Sequence, residues 1–376
     1  MTQPTTSTNQ ANWRQVLGLI GARREVPAEG VRFAMDQIMT GQAVDAQVAA
    51  FAFGIFAKGI TAAELDAAAT AMLSHAADAG IPNASGAVDI VGTGGDGAHT
   101  VNISTMSSVI VAASGIPVLK HGNRAASSKS GGADMLEALG VDIADGNVAS
   151  PEHPDFTLRF LFAATYHPAM RYAGPVRSQL AVPTLFNLLG PLTNPAQPSC
   201  SLIGCAFENQ METMAGAFAR RGQRVLVVRG SDGLDEITVT GPTRVFVVDD
   251  GKVVEDVIDP RDYGMDYAPA DSLRGGDPAC NAEVARKVWN GELRGPIRDA
   301  VLLNSAGAIV AARGLEGGDL KSAMARALET ARETLDSGRC AEIIAAVTGR
   351  LSARSAHPGL DGGRRPLAPS THAPRR

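Results

Sequence analysis

The sequence has no C-x-x-C pair: Cys200, Cys205, Cys280 and Cys340 are scattered, with no histidine cluster beside them. That spacing signals neither a zinc site nor a disulfide framework, and reduced, mostly buried thiols are expected. Aromatic residues make up only 5% of the chain. That is thin for a sugar-stacking hydrolase built on two carboxylates. Positive charge is not in excess either, with 34 Lys+Arg against 39 Asp+Glu and a net charge of −5. No broad basic field is left for a nucleic acid. No apolar run approaches the roughly 20 residues that cross a bilayer. Residues 1–11 are rich in Thr, Gln and Asn where a secretory leader would be basic and then apolar. The expectation is a cytoplasmic protein with no membrane or nucleic-acid partner.

What is present suits a globular chain of 376 residues, 45% hydrophobic and 19% charged, with 41 glycines. At about 150 residues per domain, two domains are expected. Residues 12–80 read as helices only. Val31, Ala34, Met35, Ile38 and Met39 recur at three- and four-residue steps between Pro27 and the stop at Gly41. Stretches 44–58 and 62–79 repeat the pattern, with Thr61 as N-cap. The period changes at 88–91, a short apolar run leading into Gly92-Thr93-Gly94-Gly95-Asp96-Gly97 and then a helix over 105–114. A second strand (116–119), a polar loop (120–132) and a helix (133–139) follow. Successive strand–loop–helix units predict a parallel sheet. Further strands are expected at 201–205, 224–228 and 244–248, and helices at 210–221, 281–290, 297–312 and 320–335. The breaker cluster 149–155 reads as a surface loop, 168–180 as helix, and 351–376 as a mobile tail.

Gly92, Gly94 and Gly97 satisfy G-x-G-x-x-G after a strand, yet the helix does not open at the third glycine and the next strand ends in Lys120, not an acid. Dinucleotide binding is therefore disfavoured. Two readings stay open: a tight turn that uses the freedom of glycine, or a cradle for phosphate in which backbone N–H groups, Asn102, Ser104 and Thr105 face an anion at a helix start. The second loop, Lys120-His121-Gly122-Asn123-Arg124-Ala125-Ala126-Ser127-Ser128-Lys129-Ser130-Gly131-Gly132, again mixes cations, hydroxyls and glycines. Two such loops at one sheet edge suggest a ligand with two phosphate groups. Lys120 is the better placed cation to counter it; Arg124 and Lys129 equally read as exposed or helix-supporting. Asp235 and Glu236 sit at the exit of a strand, where adjacent carboxylates facing a polyphosphate suit Mg²⁺. A solvated acidic turn is the plainer alternative. Arg177, on a helix that would face a cleft, is the candidate for a planar carboxylate, against a surface ion pair. His167 before Pro168 reads as a packed or capping histidine.

The runs Asp89 to Gly97, Asn102 to Thr105, Lys120 to Ser128 and Asp232 to Glu236, with the 186–195 stretch, closely resemble the anthranilate phosphoribosyltransferase family over roughly residues 12–345. The resemblance implies an α/β fold in which a small all-helical domain is hinged to a larger domain with a mainly parallel sheet. The helical part would take residues 12–82, joined by helices from about 168–190, and the α/β part 83–167 and 191–348, with 1–11 and 351–376 outside both and disordered. It implies transfer of the phosphoribosyl group of 5-phosphoribosyl 1-diphosphate (PRPP) to the amine of anthranilate in tryptophan synthesis, with Mg²⁺, in a homodimer. Gly92, Gly95, Asp96, Thr100, Asn102, Ile103, Ser104, Thr105, Lys120, His121, Gly122, Asn123, Arg124, Ala125, Ala126, Ser127, Ser128 and Gly132 would hold PRPP. Gly92, Asn123 and Arg177 would contact anthranilate, with His121 and His167 lining its path, and Ser104, Asp235 and Glu236 would hold the metal. Three departures fall on the acceptor side: Thr157-Leu158-Arg159 where glycine is common, Ala164 where proline is usual, and Ala181 where glycine is usual. They keep open another aromatic acid as acceptor; the nucleoside phosphorylases, whose loops are worded differently, rank lower.

Overall fold

A computed structural model describes residues 11–81, 84–124, 129–143, 147–150, 153–345 and 348. The chain opens with helices α1 (Trp13–Gly21), α2 (Ala28–Met39), α3 (Asp45–Ala57) and α4 (Ala62–Ser74). The α2 stripe of Val31, Ala34, Met35, Ile38 and Met39 is buried, as a 3.6-residue period requires. At α4 the Thr61 hydroxyl accepts the Glu64 N–H at 3.2 Å, and the Glu64 carboxylate returns to the Thr61 N–H at 2.9 Å. This reciprocal cap fixes where the helix starts. Glu64 also accepts from Val26 N at 2.7 Å and pairs with Lys58 at 2.7 Å, so its buried charge is fully satisfied.

The α/β part contains β1 (Val88–Gly92), α5 (Ile103–Ala113), β2 (Val118–Gly122), α6 (Gly132–Ala138), β3 (Asn147–Ser150), β4 (His153–Phe162), α7 (Ala163–Tyr166), α8 (Gly174–Leu180) and α9 (Phe186–Leu189). It continues with β5 (Cys200–Gly204), α10 (Met211–Arg220), β6 (Arg224–Gly230), β7 (Thr243–Asp249), β8 (Lys252–Ile258), α11 (Pro278–Trp289), α12 (Pro296–Arg313) and α13 (Leu320–Asp336). One eight-stranded sheet runs β3-β4-β2-β1-β5-β6-β7-β8. Strands β4, β2, β1, β5 and β6 are parallel, and β3, β7 and β8 are antiparallel additions. Helices α5, α6, α11, α12 and α13 share one core with one face of the sheet. The opposite face, with α10, shares its core with α1–α4 and the 173–192 stretch. Helix α8 packs on α3, α9 on α4, and α4 on α10. The chain crosses over one face from β1 to β2 and over the other from β5 to β6, so the order reverses between β1 and β5. Ligands of open parallel sheets bind at such a switch point, beyond the carboxyl ends of the strands.

Several expectations need correction. Residues 149–150 and 153–155, expected in a surface loop, are strand: β3 and β4 pair antiparallel there, with Ser150 opposite His153, and this pairing overrides the local breakers. Residues 168–180 are not one helix, since a 3-10 turn (Pro168–Tyr172) gives way to α8 at Gly174. The second strand begins at Val118, because Pro117 has no N–H for the ladder. Helix α4 stops at Ser74, short of 79. The tail 351–376 lies outside the described residues. No helix among those described is long and apolar enough to cross a membrane.

Candidate active site

Three segments converge at the carboxyl ends of β1, β2 and β6. After β1 the glycine loop turns through Gly94, Gly95 and Gly97, all at positive φ, and ends at Asn102, which precedes α5. The Gly94 N–H donates to Asp235 Oδ2 at 2.7 Å, and the Ser104 N–H at the start of α5 donates to Glu236 Oε1 at 3.2 Å. A Cβ on Gly92 would overlap Asp235 Oδ2, and one on Gly204 would overlap the Asp235 carbonyl oxygen. The acid pair is therefore wedged against the ends of β1 and β5, at the switch point. Only glycine permits so close an approach.

Lys120 and His121 are consecutive on β2, so the pleat sends them to opposite faces. Lys120 is buried, and its Nζ donates to the Ile90 carbonyl and to Ser104 Oγ, the latter at 3.3 Å. Its ammonium thus sits between a β1 carbonyl and the Ser104 hydroxyl, within the field of Asp89, Glu236 and Asp235. Burial lowers its pKa, opposed by Asp89, Glu236 and Asp235. Burial drives Asp235 well above the usual carboxylate range, helped by repulsion from Asp96 and Glu236. Glu236 is pushed up to about 7, chiefly by burial and against the pull of Lys120. Crowded, desolvated carboxylates of this kind gain most from a cation. Among the described residues no group of three or more His, Cys, Asp or Glu side chains is arranged to hold a metal alone. Two carboxylates beside a polyphosphate cradle fit Mg²⁺, which takes one or two protein oxygens and borrows the rest from phosphate and water.

The remaining loop residues divide. Asn102 donates to the Ser130 carbonyl at 3.0 Å and ties the glycine loop to the second loop. Thr105 Oγ1 is buried with no partner, 2.7 Å from where a Gly132 Cβ would stand. Ile103 belongs to the core and spends its N–H on Val101. Thr100 pairs with Arg274 in an isolated bridge. The Asp96 carboxylate accepts from the Ala98 N–H at 3.1 Å. Gly122 lies against the Phe160 ring, and Asn123 is exposed. Arg124 points away from the loop to Asp134 and Glu137 at 3.0 and 2.5 Å. Lys129 is exposed. Ala125, Ala126, Ser127 and Ser128 lie outside the described residues.

On the opposite face of β2, His121 Nδ1 bonds the Gly190 carbonyl at 3.0 Å, and His167 Nε2 bonds the Thr193 carbonyl at 2.8 Å. The two rings meet edge to face at 5.3 Å. Burial pushes His121 down to about 3 and also lowers His167, so both rings are neutral. His121 Nε2 and His167 Nδ1 are buried without partners. Arg177 on α8 is half-buried, sits 5.6 Å over the Phe186 ring, and has no ion-pair partner among the described residues. A guanidinium with no ion-pair partner among the described residues suits a planar carboxylate.

Sequence reasoning missed the groups that hold these parts in register. Asp89, fully buried on β1, accepts from His121 N at 3.0 Å and from Asn194 Nδ2 at 2.8 Å. Asn304 on α12 accepts the Ile237 N–H at 2.9 Å and donates to the Ile237 carbonyl at 2.8 Å, clasping the residue after Glu236. The signal was available in both cases: Asp89 alone, and Asn304 with Ser305, interrupt otherwise apolar runs.

Comparison with known proteins finds relatives for both parts of the chain. Residues 84–341 match the a/b domain of the glycosyl transferase family, and residues 14–76 match its helical bundle domain. The anthranilate phosphoribosyltransferase of Corynebacterium jeikeium (strain K411) is 55% identical over 341 residues, 90% of this chain and 93% of that one. That of Rhodococcus jostii (strain RHA1) is 50% identical over 89% of this chain and 91% of its own length. Among solved structures, anthranilate phosphoribosyltransferase from Thermus thermophilus superposes with a TM-score of 0.80 at 36% identity, covering 90% of this chain and 99% of that chain. The Saccharomyces cerevisiae enzyme in complex with PRPP and Mg gives 0.77 at 25% identity, with coverage of 91% and 98%.

Proposed function

The chain belongs to the anthranilate phosphoribosyltransferase family of glycosyl transferases, and on that premise we infer that it transfers the 5-phosphoribosyl group of PRPP to the amine of anthranilate. The products are N-(5-phosphoribosyl)anthranilate and diphosphate, a step of tryptophan biosynthesis. The observation that carries the reading is the convergence of the glycine loop and the acid pair, held by Gly94 N–H to Asp235 and Ser104 N–H to Glu236.

In this reading the N–H groups and side chains of Gly92, Gly95, Asp96, Thr100 and Asn102–Thr105, with the second loop, cradle PRPP. Asp235, Glu236 and the Ser104 hydroxyl hold magnesium, whose charge, when bound, stabilises the departing diphosphate. Lys120 acts from below as an internal counter-charge that keeps Ser104 and Glu236 in place. Arg177 binds the anthranilate carboxylate, and the neutral His121 and His167 rings offer their unpaired nitrogens along its path. Asn123 and Gly92 complete the approach to C1. The C1–oxygen bond to diphosphate breaks as the amine nitrogen bonds C1, and the amine proton leaves to solvent. Orientation and electrostatics supply most of the acceleration. Among the described residues no side chain is assigned the part of a strong base. In this reading a homodimer forms through the helical block, where Val44, Phe53, Tyr172 and Val182 are exposed.

The test is direct. Purified protein with PRPP, Mg²⁺ and anthranilate should remove anthranilate fluorescence, and omission of either PRPP or Mg²⁺ should abolish the loss. Absence of turnover with anthranilate in the complete mixture refutes the reading.

A further inference from the structure

The glycine loop is held from outside as well as by its own turn. The segment before α11 runs alongside it: the Val101 N–H donates to Leu273 and the Gly275 N–H to His99, both at 2.9 Å. From the first turn of α11 comes Asn281, only 1% exposed. Its Oδ1 accepts the Gly276 N–H at 2.8 Å, and its Nδ2 donates to Asn102 Oδ1 at 2.9 Å. Asn102 Nδ2 donates to the Ser130 carbonyl at 3.0 Å, and Ser130 Oγ donates to Asn102 Oδ1 at 3.3 Å.

The two ends of a side-chain amide have nearly the same shape, so its direction is set by its partners. Here both ends of the relay finish on backbone. The Gly276 N–H can only donate, and the Ser130 carbonyl can only accept. The oxygen of Asn281 therefore faces Gly276, its amide nitrogen faces Asn102, and the oxygen of Asn102 faces back. That oxygen takes the Asn281 N–H, and it shares the Ser130 hydroxyl proton with the Gly131 carbonyl, 3.4 Å from Ser130 Oγ. What Asn102 retains for a ligand is its second N–H, a donor at the entrance to α5.

We propose that Asn281 is a positioning residue for the donor site: through Asn102 it sets an N–H, and not an oxygen, toward the phosphate groups, and locks the two loops together. The proposal rests on the phosphoribosyl-transfer reading. Asn281→Asp keeps the acceptor for Gly276 but places an oxygen against Asn102 Oδ1; with the Asn102 amide as it stands that contact is oxygen against oxygen, and with the amide turned round the contact to the Ser130 carbonyl is, so the relay breaks in either orientation. Asn281→Ala releases the amide without placing an oxygen against it.

Steady-state kinetics and calorimetric titration of PRPP test it. In Asn281→Asp the PRPP KM and Kd should rise at least about tenfold, and in Asn281→Ala about fivefold, while kcat and the anthranilate KM stay within about twofold of wild type. In an Asn102→Ala background the Asn281→Asp change should add less than about twofold, because its effect passes through Asn102. An unmoved PRPP KM in both variants overturns the proposal, as does an equal factor in the Asn102→Ala background. If neither variant folds by circular dichroism, the residue is structural and the proposal also falls. Wild-type protein that does not bind PRPP overturns the underlying reading instead.

Discussion

Arg177 and His121 show how burial at single residues sets the chemistry of the acceptor side. Arg177 has no ion-pair partner among the described residues and sits over the Phe186 ring, so on the proposed role truncation removes the hold on the acceptor and little else. Arg177→Ala should raise the anthranilate KM about a hundredfold, the worth of two charge-assisted hydrogen bonds partly offset by solvent, and leave the PRPP KM unchanged. Equal effects on both substrates would contradict the assignment. His121 makes a pH prediction. Its ring stays neutral in the fold down to about 3, whereas in the unfolded chain it takes a proton below about 6.5. The stability it contributes is present above pH 6.5 and is lost as pH falls toward 3. Asp89 has the opposite sign: burial raises it to about 6, so its contribution is present below 3.8 and lost as pH rises through about 6. Comparing wild type with His121→Asn isolates the imidazole. Between pH 6.5 and 5, urea unfolding should show wild type losing about 2 kcal/mol more than the variant. Parallel pH profiles would exclude this. Ala181, at the end of α8, has a left-handed φ of 51°. A Cβ is strained there, so Ala181→Gly should stabilise the protein by about 1 kcal/mol in the same assay.

Among the elements, β5 and the segment after β6 are the most tightly matched. Gly204 ends β5 directly under the Asp235 carbonyl, and the Thr93 N–H donates to the Gly204 carbonyl at 2.9 Å, so one residue joins the glycine loop to the acid pair. Asn304 clasps the far side of that pair from α12. A methyl group at 204 meets backbone that has nowhere to retreat. Gly204→Ala should lower kcat/KM for PRPP by about a hundredfold or more and cost about 1–3 kcal/mol of stability. Wild-type kinetics in that variant would show that the segment yields. Strand β8, by contrast, has exposed valines at 253, 254 and 257 and takes no part in the site.

Across the molecule, the helical block and the α/β part share one core. Residues of α1–α4 cluster with α10 and with Ile203, Val225, Val227 and Phe246 of the sheet. At the junction of α4 and α10, a Cβ on Gly216 would stand 2.9 Å from that of Ala62, and Arg221 pairs with Asp66 at 2.7 Å. Parts that share a core lose it together. The two tryptophans report on the two sides: Trp13 packs on Phe33 and Phe51 in the helical block, and Trp289 is buried in the other core. Thermal unfolding followed by fluorescence in Trp13→Phe and in Trp289→Phe, each referred to its own circular dichroism midpoint, should agree within about 2 °C. An early transition seen by Trp13 alone would show an independent helical unit.

By itself the sequence determined what depends on neighbours along the chain. The buried stripe of α2, the Thr61 cap with its glutamate three residues on, and the strand–glycine loop–helix units are written in residues a few positions apart, where periodicity and turn chemistry act directly. The sequence also placed Asp235 and Glu236 at a strand exit. Only the tertiary structure decided which strands lie side by side, and with that the partners of the buried groups. Asp89 meets Asn194, Asn102 meets Asn281, and Gly94 meets Asp235 across separations of 105, 179 and 141 residues. The breaker-rich residues 149–150 and 153–155 became strand because β3 and β4 pair with each other there, and Lys120 turned inward because buried carboxylates stood on that side of the sheet. Hydrogen-bond donors and charges seek any partner that desolvation leaves them, and sheet order decides which partners are within reach.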